Sequence, residues 1–570
     1  MANSPEAKHD PYEYLNRDGF TSEKFKIEIR GMPRFYGMGE LKKFLNEKLE
    51  LQTCKIKMPK PGSRWIYVCF RNEESRTRAI SVLNGLDWKN CTLRAQRADP
   101  SPDPYRKIKP HLEKEYAGST IHVGINCDEQ VDAAWLIREN TTPLWNTPYE
   151  SQLSKKQSAM VAALKTIFKR AMSQWDGDQL TWLRSQQKKY KGLPCELLPI
   201  RSMDEINGYR NKCEFTVGRY KKLGPLKVGF RLGTYVKGLV EVGPVDDLSH
   251  ISDKMKAAVK ILELCLQTST YAAYDPSTNE GNWKQVTVRT TRTGDLMLVF
   301  VFVRQSTNDQ ELENVKKHLK EFFEIGSGAN AGVTSLYFQT FEQLHANQNA
   351  SANLCHISGK EYIEEILFGM KFRISPQAFF QVNTGAAELL YQSVINLTEP
   401  NSDTAVLDVC CGTGTIGIAF SEYCGEVYGM EVIPAAIKDA KENAAANNIT
   451  NCEFFVGKAE DTLPAVIRRV TKPNIIAVVD PPRAGLHQKA LLSLRRANKI
   501  SRVAYISCDI EAAANNIVDF GRSPSKRYVG EPLVPVLAVA VDMFPYTNHC
   551  ELILILERLS DVLKQETSAS

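Results

Sequence analysis

Apolar and polar positions alternate with period two over residues 24–30 and 63–70, which predicts two strands, and fall at helical spacing over Gly39–Leu49 and Ser75–Leu86. A further strand is expected near 91–97. The order reads β-α-β-β-α-β, a ferredoxin-like unit over 24–98. Residues 98–110 then place four prolines in thirteen positions, which removes amide donors and blocks helix and ladder alike. The stretch 99–150 therefore reads as a proline-rich linker and extended segment. Within 151–192 two helical stretches follow, the first carrying Met160, Leu164, Ile167, Phe168, Ala171 and Trp175 on one face, as a core stripe does. Residues 195–370 read mostly as strands, among them Lys212–Arg219, Gln285–Arg289, the continuous apolar run Leu296–Val303 and Val333–Thr340, and predict a β-rich central domain.

From Ala405 the pattern changes. Strands at Ala405–Val409, Glu426–Met430, Asn451–Val456, Ile475–Val479 and Val503–Ile506 alternate with helical segments such as Thr415–Glu422 and Ala435–Asn447, and two more strands follow at Leu537–Met543 and Leu552–Glu557. That alternation predicts a doubly wound, Rossmann-like parallel sheet over 371–559, in the order 3-2-1-4-5, so the fold class is α/β. A disordered tail is expected over 560–570.

Composition narrows this picture little. The 570 residues are 43% hydrophobic and 24% charged, close to the average of globular domains, which argues against disordered and membrane classes. Residues 1–23 are polar and carry no targeting pattern, and the longest apolar runs are strand-sized. Fourteen cysteines are scattered without a C-x-x-C or zinc spacing, so no metal is expected and reduced thiols point to the cytosol, with a nuclear pool. Charge changes the picture more. Residues 1–110 hold 22 Lys/Arg against 14 Asp/Glu, a net +8, while the whole chain carries only +6, leaving −2 for the rest. A basic front end suggests a polyanionic partner.

Chemistry concentrates at the predicted carboxyl edge of the C-terminal sheet. The first strand runs into Asp408-Val409-Cys410-Cys411-Gly412-Thr413-Gly414-Thr415-Ile416-Gly417, a G-x-G-x-x-G loop between strand and helix, and Glu431 closes the second strand about 20 residues later, where an acidic residue holds a ribose diol. That loop admits NAD or S-adenosylmethionine. Asp408 ahead of the glycines would oppose a pyrophosphate but suits a methionyl ammonium or a structuring hydrogen bond, which favours the methyl donor. The fourth strand ends Asp480-Pro481-Pro482-Arg483, whose prolines hold the Asp480 carboxylate in the crevice. The fifth ends Ser507-Cys508-Asp509 before a helix, a position for a nucleophilic thiol whose pKa the helix dipole is expected to lower. Glu551 stands at the wet end of the apolar strand Leu552-Ile553-Leu554-Ile555-Leu556, where partial desolvation would raise its pKa toward that of a general base.

In the front unit, Arg64-Trp65-Ile66-Tyr67-Val68-Cys69-Phe70 resembles the base-stacking strand of an RNA-recognition motif (RRM), with Trp65 and Tyr67 on one face as candidate RNA contacts. Glu28 occupies the aromatic position of the first-strand motif and would repel phosphate.

Five motifs in this order, Phe379-Phe380-Gln381-Val382-Asn383, the Asp408–Thr415 loop, Asp480-Pro-Pro-Arg483, Tyr505-Ile-Ser-Cys508 and Phe544-Pro-Tyr-Thr547-Asn-His549-Cys-Glu551, resemble the RNA uracil-C5 methyltransferases. The resemblance covers about 24–98 and 195–559, and the front unit makes it nearest to the eukaryotic tRNA branch. It implies a S-adenosylmethionine-dependent methyltransferase domain at 371–559, tRNA as partner, 5-methyluridine at T-loop position 54 as product, Cys508 as nucleophile and Glu551 as proton acceptor. It further implies that Gln381, Glu431 and Asp480 contact the cofactor, with Cys410 and Thr415 from the glycine loop. Asp509-Ile510 departs from the family's Asn-Pro, which puts the turn after the thiol in question. The alternative is an RNA-binding or tRNA-folding factor with secondary or silent transferase activity. Oligomeric state is not legible in the sequence.

Overall fold

The computed structural model describes residues 24–33, 36–57, 63–99, 132–220, 224–233, 241–276, 278–341 and 353–569. The chain divides into two compact units, one up to Glu129 and one from Gln130. The proline-rich stretch lies almost wholly outside the described residues.

In the first unit, β1 (Lys26–Arg30) is followed by α1 (Met38–Lys43), which runs into a π turn at Phe44–Lys48, then β2 (Lys55–Lys57), β3 (Trp65–Cys69), α2 (Glu73–Leu83), the small hairpin β4 (Asp87–Trp88) and β5 (Cys91–Thr92), and β6 (Arg94–Arg97). The strand order is β2-β3-β1-β6. β2 is the strand that periodicity did not show, because three residues are too few for alternation to register. α2 begins two residues before the expected Ser75 because the Asn72 side chain accepts from the Ser75 amide at 2.8 Å and caps the helix. Ile27, Ile29, Ile66, Val68 and Ala95 are buried in one cluster with Leu41, Ala79 and Leu83 from the helices. The alternate residues Glu28, Arg30, Trp65 and Tyr67 therefore share the other face of the sheet.

The second unit opens with α3 (Ala133–Thr141), α4 (Tyr149–Met172), α5 (Gly177–Lys189) and β7 (Glu196–Leu197). A seven-stranded sheet follows, built from β8 (Lys212–Arg219), β9 (Leu226–Arg231), β10 (Val242–Gly243), β11 (Trp283–Thr290), β12 (Leu296–Val303), β13 (Ser335–Phe341) and β14 (Leu354–Gly359), in the order β10-β9-β8-β11-β12-β13-β14. Helices α6 (Asp253–Gln267) and α7 (Asp309–Glu324) cover one face of it. β12 is apolar throughout because both its faces are buried. Leu296, Leu298, Phe300 and Phe302 pack with α6 and α7, while Met297 and Val299 pack with the hairpin β15 (Ile363–Leu367) and β16 (Met370–Ile374).

The C-terminal layer begins with α8 (Thr384–Thr398) and continues as β17 (Thr404–Val409), α9 (Thr415–Phe420), β18 (Glu426–Glu431), α10 (Pro434–Ala446), β19 (Cys452–Val456), α11 (Ala459–Arg469), β20 (Asn474–Val479), α12 (Gln488–Arg496), β21 (Ile500–Ser507), α13 (Ile510–Phe520), β22 (Leu533–Val541), β23 (Glu551–Arg558) and α14 (Leu559–Ala569). Its strands lie in the order β19-β18-β17-β20-β21-β23-β22-β7. The expected 3-2-1-4-5 core is present, extended by an antiparallel pair. β23 runs antiparallel to both β21 and β22, which brings its first residue to the edge where the parallel strands end.

Four expectations need correction. The segment expected to be extended contains α3, capped by the Asp132 side chain on the Ala134 amide at 2.9 Å and anchored by buried Ile137. The tail expected to be disordered is the helix α14, because Leu559 and Val562, three residues apart, bury themselves with Phe168, Trp182 and Leu183. The helical segment is no separate piece, since Met160, Leu164 and Ile167 of α4 pack into the core under the C-terminal sheet. Physically, that stripe is the lid of the sheet's second face, and β7, within the stretch expected to form the central domain, pairs with β22.

Candidate active site

β17 is a fully buried strand, and its last turn exposes backbone where side chains would be in the way. Cys410 has φ 68°, Gly412 54° and Gly414 81°, so three residues of the loop sit in left-handed backbone, a conformation that glycine adopts without strain. A Cβ at Gly412 would meet nothing nearer than the Phe379 carbonyl at 3.9 Å, so this backbone lines open space. Asp408, fully buried, accepts from the Gly417 amide at 2.8 Å and ties strand to helix, the structuring bond that its position suggested. Its other oxygen, and the buried Thr413 hydroxyl, have no hydrogen-bond partner among the described residues.

Glu431 bends back over this loop. It accepts from the Val432 and Ile433 amides at 2.8 and 3.1 Å and from the Gly412 amide at 3.3 Å, which fixes the carboxylate at the end of β18. Thr415 and Tyr391 share a hydrogen bond of 3.1 Å, and Gln381, buried, also bonds Tyr391. The Gln381 carbonyl in turn accepts from Asn211 at 2.9 Å, and buried Arg289 reaches the Ala378 carbonyl at 3.3 Å, so the central sheet braces the Phe379–Asn383 segment. The structure brings Gln381, Cys410, Thr415 and Glu431 together around one glycine loop.

The second cluster is assembled by register. Asp480 follows β20, Cys508 follows β21, and Glu551 opens β23, three neighbouring strands. Ser507 pairs with Leu552 across the antiparallel β21–β23 ladder, so the next position on each strand sets Cys508 beside Glu551. Val479 pairs with Tyr505, which puts Asp480 on the other flank. Cys508 is exposed and immediately precedes Asp509, whose side chain accepts from the Ala512 amide at 3.1 Å and caps α13. Aspartate and asparagine cap helices about equally well, so Asp509-Ile510 still starts the helix directly after the thiol.

Electrostatics separate these groups. Burial pushes Glu551 up to about 8, with the Asp480 carboxylate adding to the effect, and burial pushes Asp480 to about 7. Asp408 also rises to about 7, through burial first, with the Gly417 amide opposing and Asp480 and Glu431 adding. For Cys508 the expected depression is not found. Its thiol is raised by partial burial and then by Glu551, with Arg483 opposing and Asp480 adding to the rise, so burial and two carboxylates together outweigh whatever the α13 terminus offers. Cys410 is pushed up to about 12 by burial and by Glu431, which leaves it a neutral packing thiol.

Sequence reasoning named Arg483 only as part of a motif, yet it is the cation that acts on Cys508. It missed the buried pair of Lys156 and Asp542 altogether, whose visible signal was a lysine on the inward stripe of α4 between Gln152 and Met160. Among the described residues no group of His, Cys, Asp and Glu is placed to hold a metal ion, and no helix is long and apolar enough to cross a membrane.

The carboxylates Asp408, Glu431 and Asp480 around a glycine loop make a crevice suited to a cation and a ribose diol. Asp408's unpartnered oxygen fits an ammonium donor, and nothing in the cluster favours a pyrophosphate. Such a site fits S-adenosylmethionine.

A stability prediction follows from Glu551. Below pH 4.5 the group is protonated in folded and unfolded chains alike, and as pH rises toward 8 the unfolded chain gives up its proton first, so the folded state loses stability. Glu551→Gln removes that slope. Its melting temperature should match the parent's at pH 5 and exceed it at pH 8.5, each pH unit counting about 1.4 kcal/mol toward a total of a few.

A family model described as tRNA (Uracil-5-)-methyltransferase matches residues 247–559. The tRNA (uracil-5-)-methyltransferase homolog A of Mus musculus is 38% identical over 549 residues, covering 96% of this chain and 86% of that protein. Homolog B of Homo sapiens is 38% identical over 434 residues, covering 75% of this chain and 85% of that protein. Among solved structures, the Pyrococcus abyssi tRNA (uracil-54, C5)-methyltransferase in complex with S-adenosyl-L-homocysteine aligns with TM-score 0.48 and 24% identity, over 66% of this chain and 82% of that one.

Proposed function

This chain belongs to the tRNA (uracil-5-)-methyltransferase family, enzymes that take their methyl group from S-adenosylmethionine, and from that premise we propose that it methylates C5 of T-loop uridine 54 through a covalent Cys508 adduct. The observation that carries the mechanism is the register that sets Cys508 beside Glu551 with Asp480 on the flank.

Uracil C5 is too weak a nucleophile to take a methyl group unaided. The Cys508 thiol gives its proton to solvent, and addition of the resulting thiolate to C6 turns the ring into an enolate with its electron pair at C5. S-adenosylmethionine supplies an electrophilic methyl group when bound. Once C5 carries that methyl, the Glu551 carboxylate removes the C5 proton, the C5–C6 double bond re-forms, and the C6–S bond breaks to return the Cys508 thiolate. A base with a value near 8 holds a proton well yet is partly ionised at neutral pH, which suits both removing it and releasing it to water. Arg483 offsets the carboxylates around the thiolate and the enolate. Gln381, Glu431 and Asp480 hold the cofactor, with Thr415 and Cys410 shaping the loop beneath it.

A uridine inside a folded loop must leave its stack to reach this edge, at a cost of a few kcal/mol, so the RNA surface has to extend beyond the crevice. The first unit offers one. On the sheet face away from its core Trp65 is 41% exposed, and Lys26 lies 5.0 Å from the centroid of the half-buried Tyr67 ring. Glu28, feared as a repulsive charge, is buried and paired with Arg30. The basic net charge of residues 1–110 adds salt-dependent attraction for phosphate.

Trp65→Ala or Tyr67→Ala should weaken tRNA binding by about 1–3 kcal/mol per base unstacked while leaving kcat at saturating tRNA unchanged. Filter binding beside steady-state rates checks it, and unaltered affinity in both variants assigns that face elsewhere. If purified protein bound and refolded tRNA but incorporated no labelled methyl, the tRNA-folding reading would replace this one.

A further inference from the structure

Glu551 is exact in its placement only if the hairpin before it is. Val541 pairs with Glu551 at the end of the β22–β23 ladder, and the nine residues between them carry the Phe544-Pro-Tyr-Thr motif. This turn is strained: Tyr546 has φ 68°, left-handed backbone that a tyrosine rarely adopts. Something outside the turn must hold it.

Tyr209 donates to the Pro545 carbonyl at 3.0 Å and Asn383 to the Met543 carbonyl at 3.1 Å, and a connected set of contacts comes from one face of α4. Tyr149, Gln152 and Lys156 stand three and four residues apart, and so project from the same side of the helix. The Lys156 ammonium lies 2.6 Å from Asp542 Oδ1 and donates to the Phe544 carbonyl at 3.0 Å, while the Tyr149 hydroxyl donates to Asp542 Oδ2 at 3.0 Å. Gln152 accepts from the Tyr546 amide at 2.8 Å and donates to the Leu144 and Thr147 carbonyls at 3.2 and 2.9 Å. The Leu144 amide closes the circuit on the Tyr546 carbonyl at 2.9 Å. Lys156 and Asp542 are each about 1% exposed.

A buried ion pair is a poor way to gain stability, because desolvation cancels most of the attraction and an apolar pair of equal volume packs as well. It does fix direction and register, which an apolar contact leaves free. Every group in this circuit is satisfied at the strained turn and none touches the crevice residues directly.

We propose that Tyr149, Gln152 and Lys156 are positioning residues for the reaction, a strut from α4 that holds the 542–550 hairpin so that Glu551 faces the C5 proton. The strut acts on the last chemical step, proton removal and release of Cys508, and rests on the reading of Glu551 as the base. Loss of the strut therefore slows breakdown of the methylated adduct more than its formation.

Full-length Lys156→Met, Gln152→Leu and Tyr149→Phe enzymes, assayed beside Glu551→Gln with transcribed tRNA and S-adenosylmethionine, test this. A misplacement of about 1 Å costs on the order of 100-fold in rate, so kcat should fall by up to that factor while S-adenosylhomocysteine binds as in the parent. A protein–tRNA species resistant to denaturant should accumulate in the variants, as in Glu551→Gln. Tyr149→Phe loses one hydroxyl and keeps the ion pair, so it folds even if Lys156→Met does not, and should show a smaller share of the same adduct. A fall in kcat without adduct, or parental rates in the folded variants, overturns the strut. If Glu551→Gln itself traps nothing, Glu551 is not the base and the strut falls with it; if only Glu551→Gln traps, the strut alone is wrong.

Discussion

Alanine at Cys508 will abolish methyl transfer to tRNA, by roughly 10⁵-fold or more, the scale on which covalent enzymes respond to loss of the nucleophile. The thiol is the nucleophile that the β21–β23 register sets beside Glu551, and its addition to C6 supplies the electron density at C5. The side chain is exposed at the sheet edge, so removing it should leave the fold intact. Affinity for tRNA and for S-adenosylhomocysteine should stay within about two-fold, because the phosphate and base contacts that dominate RNA affinity are made elsewhere. Labelled-methyl incorporation beside filter binding and calorimetry checks this. Turnover within ten-fold of the parent would mean that no Cys508 adduct forms.

The second large effect is qualitatively different. Glu551→Gln should still add Cys508 to C6 and transfer one methyl group, then stall, because the C5 proton has no acceptor and Cys508 cannot be expelled until it leaves. Multiple-turnover rates should fall by about 10²–10⁴, the range that a positioned general base contributes. The stalled species should appear on a denaturing gel as protein carrying tRNA, in an amount approaching one per active site. Full turnover, or slow turnover with no covalent species, would remove Glu551 from the role. The same substitution is expected to stabilise the fold at alkaline pH, so a loss of activity here cannot be ascribed to unfolding.

Much of this site was legible in the sequence for a definite reason. Asp408, Glu431, Asp480, Cys508 and Glu551 each sit at the end or start of a strand with a strong apolar pattern, and in a doubly wound sheet strand ends converge on one edge. Residues at such ends can be placed together without knowing a single contact. Gln381 and Thr415 were reachable only through the resemblance, since one lies in an irregular segment braced by Asn211 and the other on a short helix. The sign of the Cys508 shift was misread because a helix terminus is visible in sequence, whereas the partial burial of the thiol and the two carboxylates brought beside it by register are not. Lys156 and Asp542 were missed for the same reason: they are 386 residues apart, and only the folded chain makes them a pair. The helix over the last residues was missed because seven of its eleven positions are polar, and its two buried anchors, Leu559 and Val562, matter only when Phe168 and Trp182 are there to receive them.

The most direct test of the account is the composition of the trapped species. Glu551→Gln enzyme incubated with tRNA and S-adenosylmethionine would be denatured, digested with protease and nuclease, and sequenced by tandem mass spectrometry. The account predicts one cross-linked peptide, spanning Cys508, carrying a uridine that has gained a single methyl group and lies at position 54 of the T-loop. A cross-link at any other side chain, or a methylated uridine released without one, would contradict it.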